Sequence, residues 1–369
     1  MRLLALAPVI ALTVLGACAD GTPTAPGADA APKRAPAATG PSPAVVMSGL
    51  DAPRGLAWGP EGALYVAEAG TRTVTGPCVP IARGQNCFSG TGAVSRLWKG
   101  RQARVASGLP SGYNPGTLDI VGPHDIAFQG RGNGYLTIGW GAAPALRAGL
   151  GDLGAAFGTL ARLRPSGGWE VVADIAAYEA AHNPDGGPVD SNPYGVLAEP
   201  GRRFVTDAGG NSLLEVAADG AVSLVTTFPR TAVPPPFGLA EAVPTEVERG
   251  PDGALYVSTL SGAPFLAGTA TIYRVVPGAA PEPYATGFKM ITDFDWGPDG
   301  SLFVVQYDTA PIFFGAPGSL VRVAPGGART TLHAALSNPT GVLAGPDGAV
   351  YVSNRGNLPG VGEVLRIVP

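Results

Sequence analysis

The sequence is poor in charge and in the side chains that carry much of enzyme chemistry. Only 14% of its 369 residues are charged and the net charge is -4, so it offers no basic surface for nucleic acid. It has three His and three Lys, which leaves few positions for a mechanism centred on either residue. The motifs Gly-x-Ser-x-Gly and His-Glu-x-x-His and the P-loop are all absent. None of the standard catalytic signatures therefore defines its activity.

Glycine and proline, in contrast, are abundant. The 55 Gly and 38 Pro make up about a quarter of the chain, a share often seen in disordered proteins. Because 45% of the residues are hydrophobic, however, the chain has enough apolar surface for a packed core. The Gly and Pro must then separate many short elements. This composition predicts an all-β protein and disfavours a helical bundle, a collagen or a coiled coil.

Residues 1–17 have the pattern of a bacterial export signal, with an apolar run from Leu3 to Leu15 that is too short to span a bilayer comfortably. Leu15-Gly16-Ala17-Cys18 resembles the lipobox, in which the cysteine is acylated and becomes the first residue. Ordinary secretion, with cleavage after Ala19, is the alternative. Residues 18–43 are rich in Ala, Pro, Gly and Thr, and we expect them to form a flexible tether.

These features predict a lipoprotein of the cell envelope that contacts the membrane through its lipid anchor only. The several acyl chains of a lipoprotein cysteine hold a protein firmly, whereas a single chain does not. Because Ala19 rather than Asp follows Cys18, the resemblance to Gram-negative lipoproteins implies sorting to the outer membrane, facing the periplasm.

The two remaining cysteines, Cys78 and Cys87, lie close together in a segment rich in Gly and Pro. An exported chain meets an oxidising compartment, so we predict a disulfide between them that stiffens a surface loop. A metal–thiolate site would need more Cys or a nearby His.

One phrase recurs along the chain and predicts its architecture. Gly-Pro-Asp-Gly or Gly-Pro-Glu-Gly, followed by an apolar strand, begins at Gly59, Gly250, Gly297 and Gly345, with degenerate copies at 130–136 and 199–205. Proline presets the first corner of a turn and Gly takes the positive φ, so each copy joins two antiparallel strands. A third strand follows in every unit, and a fourth in all but the last. Four strands per unit, repeated six times, predict a six-bladed β-propeller.

The ends of the chain complete this prediction. The sixth unit stops at Pro369 after its third strand, whereas Val46-Met47-Ser48-Gly49-Leu50 copies the fourth strand of the first unit, Val105-Ala106-Ser107-Gly108-Leu109. We therefore predict that the N-terminal strand closes the last blade, so that residues 44–369 form one ring of four-stranded antiparallel blades. Closure hides the strand edges, and we expect a monomer.

Connection lengths predict which face of the ring binds. If the strands are named A to D from the channel outward, the A–B and C–D turns share one face, here called the short-turn face. The long B–C and D–A connections share the other, the loop-bearing face, and loops on a rigid scaffold are where binding usually occurs. A strands start and B strands end near the channel on that face. The predicted ligand-binding residues are Arg54, Glu68, His124, Asp125, Tyr194, Asp207, Glu246, Asp293, Gln306 and Asn354.

Three of these, Asp125, Glu246 and Asp293, are the candidate ligands of a hard divalent cation such as Ca²⁺. His124 is the one candidate for acid–base catalysis. A structural role stays open for the whole set, because channels need polar side chains for backbone ends and trapped water. Asn183-Pro184-Asp185-Gly186-Gly187 is consistent with either a cation site or a plain turn. We expect the arginines repeated in the third strands to pair between blades: Arg96, Arg162, Arg274, Arg322 and Arg366.

Several phrases resemble the ScyD/ScyE family of exported bacterial propellers. They are Gly122-Pro123-His124-Asp125-Ile126-Ala127, Thr137-Ile138-Gly139-Trp140-Gly141, the segment from Val205 to Leu214, Tyr351-Val352-Ser353-Asn354, and the cysteine-bearing insertion followed by Gly92-Ala93-Val94-Ser95-Arg96. The likeness covers about Val45 to Pro369 and supplies no catalytic residues. Its wider relatives, NHL-repeat and gluconolactonase-type propellers, include binding modules and metal-dependent lactonases. In gluconolactonases a Glu, two Asn and an Asp hold the cation, and here Arg54 stands where we would expect the Glu.

The leading functional prediction is a membrane-tethered propeller whose loop-bearing face binds a small molecule or an envelope protein without turning it over. The alternative is a divalent-cation-dependent hydrolase or lactonase that uses the channel mouth. A purely structural role in the envelope is the third possibility.

Overall fold

The computed structural model describes residues 43–164 and 168–369. The predicted signal segment, Cys18 and the tether up to residue 42 lie outside the described residues. The described chain is all-β, with 30 strands, one α-helix and one 3₁₀ helix. Neither helix is long and apolar enough to cross a membrane.

The strands are short, as the spacing of the turn residues predicts. The first nine are β1 (Ala44–Leu50), β2 (Pro53–Trp58), β3 (Leu64–Glu68), β4 (Cys78–Ile81), β5 (Gly84–Phe88), β6 (Gly92–Trp98), β7 (Arg101–Leu109), β8 (Gly112–Tyr113) and β9 (Ile120–Val121). The next ten are β10 (Pro123–Gln129), β11 (Asn133–Ile138), β12 (Thr159–Leu163), β13 (Trp169–Asp174), β14 (Pro193–Glu199), β15 (Arg202–Asp207), β16 (Ser212–Ala217), β17 (Val222–Thr227), β18 (Thr231–Ala232) and β19 (Leu239–Ala240). The last eleven are β20 (Pro244–Arg249), β21 (Leu255–Thr259), β22 (Ala270–Val275), β23 (Glu282–Phe288), β24 (Ile291–Trp296), β25 (Leu302–Gln306), β26 (Gly318–Val323), β27 (Arg329–Leu336), β28 (Gly341–Ala344), β29 (Val350–Asn354) and β30 (Gly362–Ile367).

Six four-stranded antiparallel sheets follow the predicted units. Their strand orders are β2-β3-β6-β7, β10-β11-β12-β13, β14-β15-β16-β17, β20-β21-β22-β23, β24-β25-β26-β27 and β28-β29-β30-β1. In the last of these sheets Val45 lies opposite Leu365 and Ser48 opposite Glu363. The N-terminal strand is therefore the fourth strand of the sheet that the C-terminus forms.

The hydrophobic core lies between neighbouring sheets. The innermost strands contact one another in the order β2, β10, β14, β20, β24, β28 and again β2. Six clusters of buried apolar residues fill the spaces between successive sheets. In one of them Met47 from β1 and Val364 from β30 pack with Leu56 and Val66 from the first sheet. Burying one face of a sheet against the next is what stabilises this arrangement.

The repeated arginines form ion pairs inside their own sheets. This corrects the expectation that they pair between blades. At Gly250-Pro251-Asp252-Gly253 the last glycine has a φ of 79°, a conformation that residues with a Cβ adopt at a cost. Asp252 accepts a hydrogen bond from Ala254 N and forms an ion pair with Arg274 of the same sheet, 2.7 Å away. The other four arginines also pair within their own sheets: Arg96 with Glu61, Arg162 with Glu170, Arg322 with Asp299 and Arg366 with Asp347. The predicted pairing between blades was wrong, because an acid of the same sheet lies beside each arginine: the turn acid in four sheets, and Glu170 of the fourth strand in the case of Arg162.

Three features lie in the long connections. The predicted disulfide between Cys78 and Cys87 is confirmed, and the two residues are paired across β4 and β5. This insertion is more than a loop, because β4 and β5 join β8 and β9 in a small sheet. A 3₁₀ helix at Pro144–Ala156 and the helix α1 (Ile175–His182) occupy two further connections. The sequence analysis did not predict either helix.

Candidate functional site

The structure separates the ten predicted residues into two groups by strand. The four at the ends of second strands use their polar atoms inside their own sheets. Each accepts a hydrogen bond from the backbone N–H of the segment that leads into the innermost strand. The pairs are Glu68 with Asp51 N (2.6 Å), Asp207 with Asn192 N (2.6 Å), Gln306 with Lys289 N (2.8 Å) and Asn354 with Ser337 N (2.7 Å).

Further partners complete this role. Arg104 Nη2 donates to Glu68 at 2.6 Å, Gln306 donates to Ser319 Oγ at 2.9 Å, and Asn354 donates to Glu363 at 2.8 Å. Buried polar groups with these partners hold the incoming chain in place. We therefore assign these four residues to the support of the channel wall.

The other six residues come from innermost strands and lie at the channel. Arg54 is 8% exposed, and its guanidinium donates to the carbonyl oxygens of Gly356 and, at 3.0 Å, of Ile120. Further along the same strand, Leu56 to Trp58 line the cavity that is described below. Arg54 therefore lies between that cavity and the loop-bearing face, and places a permanent positive charge there.

His124 is buried beside Arg54 and Tyr194. Its Nδ1 lies 3.1 Å from the carbonyl oxygen of Pro193, which can only accept, so Nδ1 carries the proton. Its ring centre is 4.8 Å from that of Tyr194. Burial, and then the charge of Arg54, lower the pKa of His124 to about 3. An imidazole with this pKa is a weak general base at neutral pH.

Asp125 and Asp293 each join two innermost strands. Asp125 Oδ2 accepts from Val196 N at 2.9 Å, and Asp293 Oδ2 accepts from Val342 N at 2.8 Å. Gly55 makes room for the first carboxylate, because a methyl group at Gly55 would lie 1.9 Å from Asp125 Oδ1. These aspartates therefore satisfy N–H groups on the channel edge of the neighbouring strand.

Two carboxylates at the channel are absent from the predicted set. Glu248 and Asp295 each lie two residues beyond a predicted acid, Glu246 and Asp293, and alternation along a strand puts i and i+2 on one face. Asp295 accepts a hydrogen bond from Ala344 N at 2.7 Å, just as Asp293 accepts one from Val342 N on the same neighbouring strand. Period-two alternation of acids was the signal in the sequence that could have identified them.

These carboxylates surround a cavity of about 120 Å³, lined by Asp125, Glu246, Glu248 and Asp293 among apolar side chains. Among the residues that the structure describes, no Lys, Arg or His lines it. Burial raises the pKa of Asp125 to about 7. Burial, and then the charges of neighbouring acids, raise the pKa of Glu246 and of Asp293 well above the ordinary values. The channel therefore favours the protonated form of these carboxyls.

The cavity and its ligands fit a cation poorly. Within residues 43–164 and 168–369, no group of three or more His, Cys, Asp and Glu side chains is arranged to hold a metal ion. The cavity is also smaller than the roughly 300–1,000 Å³ of typical small-molecule pockets. It therefore has room for a few water molecules rather than for an organic substrate.

An exposed apolar surface lies on the loop-bearing face, where sequence reasoning had not placed one. We call it the aromatic patch, and it consists of Phe237, Leu239, Ile312, Phe313 and Phe314, which are between 41% and 60% exposed. The rings of Phe237 and Phe313 are 5.9 Å apart although they belong to different connections.

Buried polar contacts hold the patch in place. Lys289 lies under the connection that carries Ile312 to Phe314, 3.2 Å from Asp308, and donates to the carbonyl oxygen of Ala310. Asp308 in turn accepts from Gly315 N at 2.9 Å. The aromatic side chains are therefore presented on a fixed connection.

Comparison with known proteins finds similar structures but no similar sequence. No protein family and no curated protein matches the chain by sequence. Among solved structures it is similar to the calcium-binding protein regucalcin from Agrobacterium tumefaciens, with 13% identity over 88% of this chain and 93% of that one and a TM-score of 0.52. It is also similar to a putative gluconolactonase, with 14% identity over 90% and 93% of the two chains and a TM-score of 0.50. A luciferin-regenerating enzyme gives 11% identity over 89% and 96%, also with a TM-score of 0.50.

These similarities show that the chain shares its propeller-like fold with these proteins. At such low identities the shared property is the fold, and an activity does not follow from it.

Proposed function

We propose that the chain is an exported, membrane-tethered member of the ScyD/ScyE family that binds an apolar ligand or partner on its loop-bearing face without turning it over. We also propose that its six sheets are the blades of one closed ring, completed by the N-terminal strand. The pairing of β1 with β30 and the six inter-sheet core clusters support the ring.

The aromatic patch is the observation that carries this proposal. Contiguous exposed apolar side chains are uncommon on soluble monomers and mark interaction sites. Across the patch connections, residues 229–240 and 308–317, the charged residues are Arg230 and Asp308. Both form ion pairs, with Glu241 and Lys289 respectively. The patch is therefore aromatic and carries no unpaired charge, which suits an apolar partner.

A cation-dependent hydrolase or lactonase is the second candidate, favoured by the acidic cavity and by the fold shared with a putative gluconolactonase. Three observations weigh against it. Arg54 lies over the cavity, His124 is a weak base, and the cavity is small.

Site-specific photo-crosslinking in the producing cell tests the binding proposal. We expect a photoreactive phenylalanine analogue at Phe314 to give a discrete adduct, and Phe237→Ser to reduce its yield. Trp98 is the matched control, because it is 40% exposed on the short-turn face. Equal adduct yields at positions 98 and 314, or no adduct at 314, would contradict the proposal.

A panel of lactones and esters, assayed with and without a chelator, separates the two candidates. We expect no turnover in either condition. Chelator-sensitive turnover that Asp293→Asn abolishes would establish the hydrolase instead.

A further inference from the structure

Unpartnered buried oxygens concentrate in one region outside the channel. Within the described part of the chain, eight buried side-chain nitrogen or oxygen atoms have no hydrogen-bond partner. Half of them are oxygens in two segments, 179–190 and 207–212: Glu179 Oε1, Asn183 Oδ1, Asp190 Oδ1 and Ser212 Oγ. An unpaired buried acceptor costs about 1–3 kcal/mol, so such a concentration indicates a missing ligand or ion.

The two segments are in direct contact. Asn211 Nδ2 donates to Asp185 Oδ2 at 2.8 Å. A methyl group placed on Gly210 would lie 2.7 Å from Glu179 Oε2 and 3.4 Å from the carboxyl carbon of Asp207. The carboxylates of α1 and of the end of β15 therefore approach the same point. Glycine at position 210 therefore makes room for the carboxylate of Glu179.

Glu179 is the centre of this region. Its side chain is on α1, the residue is only 1% exposed, and Oε1 has no partner. Asn183 ends the same helix in the left-handed conformation, with a φ of 38°, and its N–H donates to the carbonyl oxygen of Glu179. This hydrogen bond keeps Asn183 next to the last turn of the helix, beside Glu179.

The local charge is strongly negative. Asp207, Asp185 and Asp190 lie close enough to Glu179 for their charges to act on it, and the charge of Arg83 acts on Asp190. Arg230 forms ion pairs with Asp185 and Glu241, and in the described part of the chain no cationic side chain forms an ion pair with Glu179. Water could donate hydrogen bonds to these oxygens but would not neutralise the charge, whereas a metal cation would coordinate the oxygens and neutralise the charge.

We propose that α1 and the segment that ends at Asp190, where they meet the Asp207–Ser212 turn, form a Ca²⁺ site with Glu179, Asn183 and Asp190 as its protein ligands. All are oxygen ligands, and Ca²⁺ accepts carboxylate, amide and water oxygens in irregular geometry. In the described residues no three His, Cys, Asp or Glu side chains form a ready-made cluster, so the amide of Asn183 and water complete the coordination. The site is separate from the aromatic patch and from the channel.

Calorimetric titration of the full exported chain with CaCl₂ tests this proposal. We expect one ion to bind, and Glu179→Gln to weaken binding at least tenfold while circular dichroism stays unchanged. Asn183→Gly removes the amide ligand but keeps the left-handed backbone, and it should also weaken binding. Asn338→Gly is the matched control, because Asn338 has a similar φ of 47° elsewhere in the chain.

A channel variant, Glu246→Gln, distinguishes this site from a cation in the channel. We expect it to bind Ca²⁺ as the unmodified protein does. Loss of binding in Glu246→Gln with retention in Glu179→Gln would overturn the proposal, as would the absence of any heat with millimolar CaCl₂. Crosslinking at Phe314 is a separate readout, so failure of the proposed binding function would leave this result unaffected.

Discussion

Replacing Asp125 with Asn should stabilise this protein at neutral pH. The carboxylate is 6% exposed and lines a cavity that it shares with three other acids. The amide oxygen of Asn can keep the hydrogen bond from Val196 N, which is 2.9 Å away in the native chain. The substitution therefore removes a buried negative charge and preserves the shape of the side chain.

The expected magnitude follows from the pKa of Asp125. Burial raises this pKa from 3.8 to about 7, so between about pH 4 and pH 7 the folded protein binds more protons than the unfolded chain. The free energy of unfolding then falls as the pH rises through this window. At about 1.4 kcal/mol per pH unit, the native carboxyl loses about 4 kcal/mol of stability across it. We expect Asp125→Asn to recover about 2–4 kcal/mol at pH 7.5 and almost nothing at pH 4.

Urea unfolding at pH 4, 5.5 and 7.5 measures this difference. Asp299→Asn is the control with opposite sign, because hydrogen bonds from Ser301, and then the Arg322 pair, lower the pKa of Asp299 to about 2. That substitution should lower stability slightly, and by about the same amount at all three pH values, because each of them lies above the ordinary pKa of 3.8. If Asp125→Asn is no more stable than the native protein at pH 7.5, and its pH dependence is equally steep, the reasoning about the buried carboxyl is wrong.

Three further predictions test other parts of the structure. Arg54→Met should destabilise the fold by about 2–4 kcal/mol, because charged hydrogen bonds are lost. It should also raise the pKa of His124, which NMR measures. An unchanged pKa would show that the charge of Arg54 does not act on His124. Met47→Ala should cost about 2–5 kcal/mol in chemical denaturation, because Met47 is 1% exposed; a cost near zero would argue against a role for the N-terminal strand in the core. Replacing Cys78 and Cys87 by Ser should cost at most about 2–3 kcal/mol and speed proteolysis at that insertion; cleavage that begins in another sheet would contradict a local effect.

The sequence predicted strands better than it predicted side-chain roles. The predicted fourth strand at Val46–Leu50 lies within β1, and the turn that begins at Gly250 joins β20 to β21 as predicted. Turn chemistry acts over four residues, so these elements could be read locally. α1 was not predicted, because Asp174 caps a helix of only eight residues within a long connection.

The candidate site was recovered in part. The acids Asp125, Glu246 and Asp293 do line one cavity, as their positions on innermost strands indicated. Glu68 and Asn354 were placed with them only because their strands end on the same face. In the structure their oxygens face the incoming segment of their own sheet. Strand position predicts the face of the molecule, but it does not give the partner.

By itself the sequence determined the repeat, the turns and therefore the sheets, because each depends on interactions within a few residues. Only the tertiary structure decided which polar groups face one another. Asp293 accepts from Val342, 49 residues away, and Phe237 contacts Phe313 from a different connection. Electrostatic and apolar contacts depend on distance in space, so the shifted pKa of Asp125, the unpartnered oxygen of Glu179 and the aromatic patch arise only when the sheets are assembled.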